Sequence, residues 1–493
     1  LGMTDGSLLL GIDVGTSSSK ALLLDMEGHE LSEFSVPHRV RSPRRGWAES
    51  EPGDWWESVQ WAVHGALHNG MSCGAGHAPV AAVGLSGQMH GAVLADAEGN
   101  PVRPAILWAD ERAENELECY RALDAAGLAA LGNPLVAGMT GPILCWLREH
   151  EPEPYKSAAW VLQCKDWLRF RLTGNVGTEH SDASATLLYD LAGHCWAEEV
   201  IAELGLRREV MAPISAAADK AGELSRAAAG ALGLKPGTPV AYGAADVPAA
   251  LVGTGLTESG SLQLVVGTAA QVVTLRELPR PDTAFRYHVF AAATGGYYAL
   301  AAVQAAGLAF EWSWKALACD WPSAYAALAS SPLGANGVSF LPHLAGARSP
   351  SMDARATGAF CGVRLRNDRS DLIRSVFEGV AFSILDAALA LPEYETATEV
   401  RLVGGGTLDP AWRQLLADVL ERPLLVVRAA NASARGAALL GRLAAGLGLL
   451  GRQEPAAVAE SVVCPSRGGS AELAAAYHRW TGWSMALAGR SND

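Results

Sequence analysis

"LLLGIDVGTSSSKALLLD", residues 8–25, joins two apolar runs through Gly15, Thr16 and three serines. The pattern reads strand, Gly-Thr turn, strand. Asp13 stands inside the first apolar run, where a carboxylate is costly unless a charge or a hydrogen-bond donor meets it. The stretch is therefore a plain hairpin with a solvated turn, or a loop built to hold phosphate and a metal ion. A second stretch echoes it: "LVVGTAAQVVTL", residues 264–275, repeats the strand, the Gly-Thr turn and the strand, with Val265 in the place of Asp13. Two related lobes with one charged and one neutral loop suit an asymmetric ligand held between them.

Between and after these hairpins, strand-like and helix-like segments alternate, which places the chain in the α/β class. "EPGDWWESVQWAVHGALH" reads as a helix with Asp54 near its start, and 110–131 as one helix ending before Gly132. "SDLIRSVFEGVAFSILDAALAL" repeats apolar residues at helical spacing, with Ser370 as the expected N-cap. "LKPGTPVAYGAAD", 234–246, punctuates a short apolar strand with Pro and Gly and is the expected boundary. The chain then divides into 1–244 and 245–493.

The 493 residues suffice for two or three domains, and 49% apolar content supplies large cores. A net charge of −14 argues against nucleic acid or an anionic membrane as partner, though not against phosphate substrates. The eight cysteines form no CxxC and are expected to be free thiols. The opening residues show neither a basic region nor a cleavage site, and no apolar run is long enough to span a bilayer. The expectation is a cytoplasmic protein.

Neither GxxxxGK[ST] nor HExxH occurs, so any phosphate site must use other glycine-rich turns. "EVRLVGGGTLDPAWRQLLADVLE", 399–421, offers one: a strand, three glycines, then a helix with Asp409 as N-cap and Pro410 at its first position. Glycines admit a ligand to the backbone and a helix start offers free N–H donors, but an ordinary βα turn has the same pattern. "GLSGQMHGA", 84–92, places Gln88, Met89 and His90 between glycines at a strand end, and "ILWADERAE" adds Trp108 and Asp110. Together they suit a polar, sugar-sized pocket with an aromatic wall. Asp246 follows the boundary strand among small residues, either as a helix cap or as a base presented into a cleft. His64, His68, Cys73 and His77 have a loosely metal-like spacing without a second ligand cluster. SSSK, HSDA and DKAG fall in the order of the penicillin-recognising motifs, two of the three imperfectly.

Five segments, "GIDVGTSSSKALLLD", "GLSGQMHGAVLAD", "RPAILWADERA", "FLPHLAGARSP" and "GGGTLDPAWRQLLADVLERPL", together resemble the FGGY carbohydrate kinases, in order, from about residue 8 to about residue 445. The resemblance implies two actin-like (ribonuclease H-like) domains with ATP and a small-molecule sugar in the cleft between them. It implies Asp246 as catalytic base and Asp13 as the carboxylate that orients Mg²⁺. Thr16, Ser17, Ser18 and Lys20 then match the first phosphate loop, and Gly267 with Thr268 the second. Gly405, Gly406 and Asp409 match the adenosine side, and Met89 with His90 the sugar contacts, beside Gln88, Trp108 and Asp110. Within the family the GQMHG loop is similar to that of the members acting on D-xylulose, which implies transfer to its terminal hydroxyl. Another ketopentose, a polyol or a deoxysugar stays open, as does an actin-like nucleotide-binding protein without a sugar. A homodimeric state is also left open. Val247, Ala109 and Ile143 depart from the family, which usually carries an amide, Asn and Lys at these places.

Overall fold

The computed structural model describes residues 6–71, 78–256, 259–407, 409–448, 459–466 and 468–488. The opening run becomes β1 (Leu8–Val14) and β2 (Ser18–Leu24), antiparallel, with Asp13 opposite Lys20. Every residue of β1 except Asp13 is buried, as for a strand covered on both faces. β3 (Glu30–Pro37) continues the sheet beyond β2, α1 (Pro52–Gly70) follows, and β4 (Val80–Gly87) runs parallel to β1 with Ser86 opposite Asp13. Further along the chain come α2 (Cys164–Thr173), then β5 (Lys220–Glu223) and β6 (Pro239–Ala241), which complete the order β5-β6-β4-β1-β2-β3. β7 (Ala244–Ala245) pairs with the end of β4 and delivers the chain into α3 (Asp246–Thr254).

The second sheet repeats this plan. β8 (Leu262–Val266) and β9 (Ala270–Arg276) form the second Gly-Thr hairpin. β10 (His288–Ala291) and β11 (Tyr297–Val303) extend its antiparallel side. After α4 (Arg369–Leu389), β12 (Val400–Val403) lies parallel to β8. α5 (Pro410–Leu420), β13 (Leu424–Val427), α6 (Ala432–Ala444) and β14 (Ala459–Val463) follow, giving β10-β11-β9-β8-β12-β13-β14. β8, β9, β11, β12, β13 and β14 thus stand where β1, β2, β3, β4, β6 and β5 stand in the first sheet, with the same parallel or antiparallel sense at each step. The echo between the two hairpins is a repeat of whole sheets, and the two-lobed α/β expectation is borne out.

α6 belongs to the second half of the sequence yet lies on the first sheet. A Cβ added at Gly11 or Gly84 would come within 1.8 or 1.7 Å of the carbonyl oxygens of Ala434 and Ala437. α3 and α6 meet just as closely, with Gly253 against the Ala432 carbonyl and Gly436 against the Ala249 carbonyl. Only glycine permits backbones to touch in this way. The apolar residues Leu9, Leu22, Leu24 and Ala82 bury themselves against Ala434 and Ala438.

Two local expectations change. The 110–131 segment folds as two short helices, Leu117–Arg121 and Ala125–Leu131, because Asp124 accepts the Gly127 N–H and starts a new helix. The N-cap of α4 is Asp368, not Ser370: its carboxylate accepts the Ser370 and Asp371 N–H groups, and Asp371 returns a bond to the Asp368 N–H. Among the described residues no helix is long and apolar enough to cross a membrane.

Candidate active site

The two hairpin turns and the glycine-rich turn after β12 converge between the lobes. Asp13, Lys20, Val265, Val403, Gly404 and Asn431 line one cavity of about 230 Å³. Gly404, with φ of +112°, presses on the end of β8, where an added Cβ would lie 2.3 Å from the Val266 carbonyl oxygen. The 404–406 turn is thereby seated beside the second Gly-Thr turn. Gly267 and Thr268 are exposed there, and their carbonyls accept N–H groups from residues 306–308. Gly405 and Gly406 are also exposed, and Asp409 caps α5 through the Ala411 N–H at 2.8 Å, with Pro410 at the first helical position as expected.

Among the described residues Asp13 makes no ion pair. Its Oδ1 is buried without a hydrogen-bond partner. Burial raises its carboxyl above the usual range, partly offset by the Ser86 hydroxyl and by Lys20. Lys20 turns away to donate to Asn431 Oδ1 at 2.8 Å, with Glu33 at 3.7 Å. Asn431 also donates to Glu30 at 2.9 Å and so ties the second lobe to the first hairpin.

Asp246 opens α3 as its first helical residue. The cap position is Ala245, and the Asp246 carboxylate accepts the N–H of its neighbour Val247, at 2.8 Å. Burial and the nearby Asp13 charge push its carboxyl up to about 7. Two serines hold the backbone on either side: Ser181 Oγ accepts the Ala245 N–H at 3.1 Å, and Ser433 Oγ donates to the Asp246 carbonyl at 3.1 Å. Behind Ser181 lies a fully buried charge cluster. Lys165 is 2.8 Å from Asp166, 2.9 Å from Asp182 and 3.3 Å from Glu179, and Arg169 is 2.7 Å from Asp166.

The expected sugar pocket forms at the end of β4. His90 takes a φ of +75°, a strained value for a residue with a side chain. Burial and the Arg348 charge push its imidazole down to about 4, so the ring is neutral. Its Nδ1 lies 2.8 Å from the Ala185 carbonyl, which can only accept, so Nδ1 carries the hydrogen and Nε2 is left as an acceptor. Met89 is buried and its sulfur accepts the Tyr298 hydroxyl. Gln88 braces the first phosphate loop through the Gly15 carbonyl at 3.4 Å. The Trp108 indole N–H donates to Thr16 Oγ1 at 2.9 Å, so the aromatic wall and the phosphate loop are one unit. Ser17 stands exposed at the tip of that loop, and Ser18 pairs with Pro37 as the first residue of β2.

Asp110 is placed differently from its neighbours. Both of its oxygens are taken up by Arg112 at 2.8 Å and by the Ala48 N–H at 2.6 Å, and it is only 2% exposed. Ala109 is exposed, Val247 is half-buried against the core, and Ile143 is fully buried, where a lysine would need a partner. Reasoning from sequence passed over Ser86, Ser181, Asn431, Ser433 and Arg348. Serine and asparagine carry no periodic signal, although Ser86, Ser181 and Arg348 lie within GLSGQMHGA, HSDA and FLPHLAGARSP. Of the metal-like set, Cys73 and His77 lie outside the described residues, and His64 Nε2 is 2.8 Å from the Ala231 carbonyl.

Comparison with known proteins agrees with this geometry. The N-terminal domain of the FGGY family of carbohydrate kinases matches residues 8–253, and the C-terminal domain matches residues 262–445. The chain is 32% identical over 444 residues to the xylulose kinase of Escherichia coli, covering 89% of this chain and 90% of that one. It is also 32% identical over 463 residues to the xylulose kinase of Streptomyces rubiginosus, covering 92% and 90%. The crystal structure of xylulose kinase from Rhodospirillum rubrum superposes with a TM-score of 0.89 at 26% identity, covering 99% of this chain and all of that one. Its two-domain, actin-like architecture is the one described above. The chain belongs to the FGGY family of carbohydrate kinases.

Proposed function

We propose that this chain transfers the γ-phosphoryl group of ATP to the terminal hydroxyl of D-xylulose, with Asp246 as the general base. One observation carries the reading above others: Asp246 is a carboxylate held near neutrality at the start of a helix, beside Asp13, where two phosphate-loop hairpins face one cleft. A base poised near the working pH is best placed to take a hydroxyl proton as attack proceeds. The transition state is loose and asks mainly for position and charge neutralisation. Backbone donors of Thr16, Ser17 and Thr268 supply the second, the Gly15 and Gly267 N–H groups being used to close their own turns, and the Gly405–Gly406 turn with Asp409 borders the adenosine side. His90 Nε2 accepts from a sugar hydroxyl, while Trp108 walls the pocket. Asp110 acts through Arg112 by fixing the loop that carries Trp108.

The unpartnered, buried Oδ1 of Asp13 fits a hydrated divalent cation. Mg²⁺ would neutralise phosphate charge there. Asp13→Asn keeps the fold and lowers Mg²⁺-dependent turnover about 10–100-fold, as expected for a carboxylate acting through water. It also moves the acidic limb of the kcat/KM profile to lower pH, since the charge raising Asp246 is gone. An unchanged Mg²⁺ requirement, rate and limb would leave Asp13 a solvated turn residue.

We place the division of the chain at 244/245, within β7, the last strand to pair with the first sheet. A cytoplasmic location is supported by seven free cysteines among the described residues, and the absence of a nucleic-acid partner by the net charge of −14. The xylulose reading is tested by coupled ADP release over D-xylulose, D-ribulose, L-ribulose, L-xylulose, glycerol and 1-deoxy-D-xylulose. D-xylulose gives the highest kcat/KM. A tenfold preference for glycerol or a ribulose moves the substrate elsewhere in the family.

A further inference from the structure

Arg348 is half-buried and differs from five arginines with buried side chains. Arg103, Arg112, Arg169, Arg276 and Arg374 each meet a carboxylate within 3 Å. Arg348 makes no ion pair and donates no hydrogen bond among the described residues, although burial pushes its guanidinium below the usual range. Its one directed contact is with the Trp108 ring, at 5.8 Å from the centroid. A cation–π contact at that distance is weak and leaves the guanidinium donors open to the cleft, since none of its nitrogens is buried.

The backbone that carries Arg348 is held firmly. Ser349 N–H donates to the Ala302 carbonyl at 3.0 Å, and Ser349 Oγ accepts the Ala302 N–H at 3.1 Å, so the loop rides on the end of β11. From there the side chain reaches across to the first lobe's sugar pocket. It lies close enough to His90 and His288 to depress both imidazoles. His288 is buried with Nδ1 unpartnered, and its ring stacks on Phe290 at 5.4 Å. Phe290 in turn lies 5.7 Å from the His90 ring. The Trp108 ring and the two imidazoles thus define the part of the pocket that Arg348 faces.

We propose that Arg348 is a specificity residue that donates to the C1 hydroxyl and C2 carbonyl oxygens of a bound ketose, closing the second lobe onto the His90 end of the sugar. The inference rests on the ketose-kinase reading above and adds which end of the sugar each lobe holds. A ketose places two oxygens on adjacent carbons, and the planar guanidinium offers two parallel N–H donors to match them. His90 Nε2 accepts from the next hydroxyl along. The sugar is thus oriented with its far, terminal hydroxyl toward Asp246.

The test compares D-xylulose with 1-deoxy-D-xylulose, which keeps the carbonyl and lacks the C1 oxygen. In the parent, kcat/KM favours D-xylulose. Arg348→Gln lowers kcat/KM for D-xylulose about 10–100-fold, chiefly through KM, as expected for loss of charge-assisted hydrogen bonds. It lowers the deoxysugar far less, so the ratio between the two collapses toward one. Arg348→Lys, which keeps the charge and loses the fork, also reduces the ratio and guards against misfolding of the first variant. ADP affinity by calorimetry is unchanged in both. An unchanged sugar ratio, or a loss of ADP affinity with an equal fall for both sugars, overturns the inference and moves Arg348 to the phosphates. A parent inert toward D-xylulose overturns the ketose reading itself, and this inference with it.

Discussion

Asp246→Asn should lower sugar-dependent ADP production about 10²–10⁴-fold, the usual contribution of a positioned base, while leaving ADP affinity within a fewfold of the parent. The same substitution should stabilise the protein in mild alkali. The sign follows from the raised carboxyl, which stands at about 7 in the folded chain against 3.8 as its ordinary value. Between those values the folded state binds the proton that the unfolded state has released, so stability falls as pH rises through the interval. Above it the charged, buried Asp246 costs up to roughly 4 kcal/mol. Asn carries no such charge, so the variant melts higher than the parent at pH 8 and the two converge near pH 4. In the parent, kcat/KM falls on the acid side of about 7 as the base becomes protonated. Turnover of the Asn variant within tenfold of the parent would remove Asp246 from the chemistry. Equal melting temperatures at pH 8 would remove the argument from burial.

Lys165→Met should be the most destabilising exchange near the site, by about 3–5 kcal/mol in denaturant unfolding, because it leaves buried carboxylates without their common cation. Lys165 touches Asp166, Glu179 and Asp182, all with fully buried side chains. Asp182→Asn should be nearly neutral by comparison. Three acids face two bases, and burial with its acidic neighbours raises the Asp182 carboxyl well above its usual range, so of the three its charge is the least favoured and the least costly to remove. The cluster reaches the chemistry through Glu179, which accepts Ser181 Oγ–H at 2.7 Å, and through Ser181, which holds the Ala245 N–H. A large loss from Asp182→Asn, or none from Lys165→Met, would reverse this assignment of charge.

How far the sequence alone reaches depends on what each residue encodes. The Gly-Thr hairpins were legible because strand periodicity and a turn residue signal the same thing, and Asp13 was conspicuous because its neighbours are apolar. Asp409 was legible as a cap because cap, Pro and helix lie within a few residues. Ser370 was a misreading of the same local grammar: Asp368, two residues earlier, gives a charged acceptor and a reciprocal partner in Asp371. Asp110 shows the harder limit. Its residue type suits a sugar ligand, and only the fold reveals that Arg112 and the Ala48 N–H already occupy both oxygens. Ser181 reaches Ala245 from 64 positions away and Ser433 reaches Asp246 from 187. No local pattern announces contacts of that range.

The seat of α6 on the first sheet has a consequence for biosynthesis. β1 begins at residue 8 and its cover begins at residue 432. At about 5–20 residues per second, the Leu9–Leu22–Leu24–Ala82 face waits roughly 20–80 s on the ribosome before Ala434 and Ala438 exist to cover it. Throughout that interval the nascent first lobe displays a bare apolar surface beside Gly11 and Gly84, whose exposed backbone invites any extended or helical neighbour. The first lobe expressed alone should therefore be insoluble, or soluble only in a chaperone's grip. A separately supplied polypeptide ending in α6 should rescue it, since the two halves of this chain are complementary parts of a single folding unit.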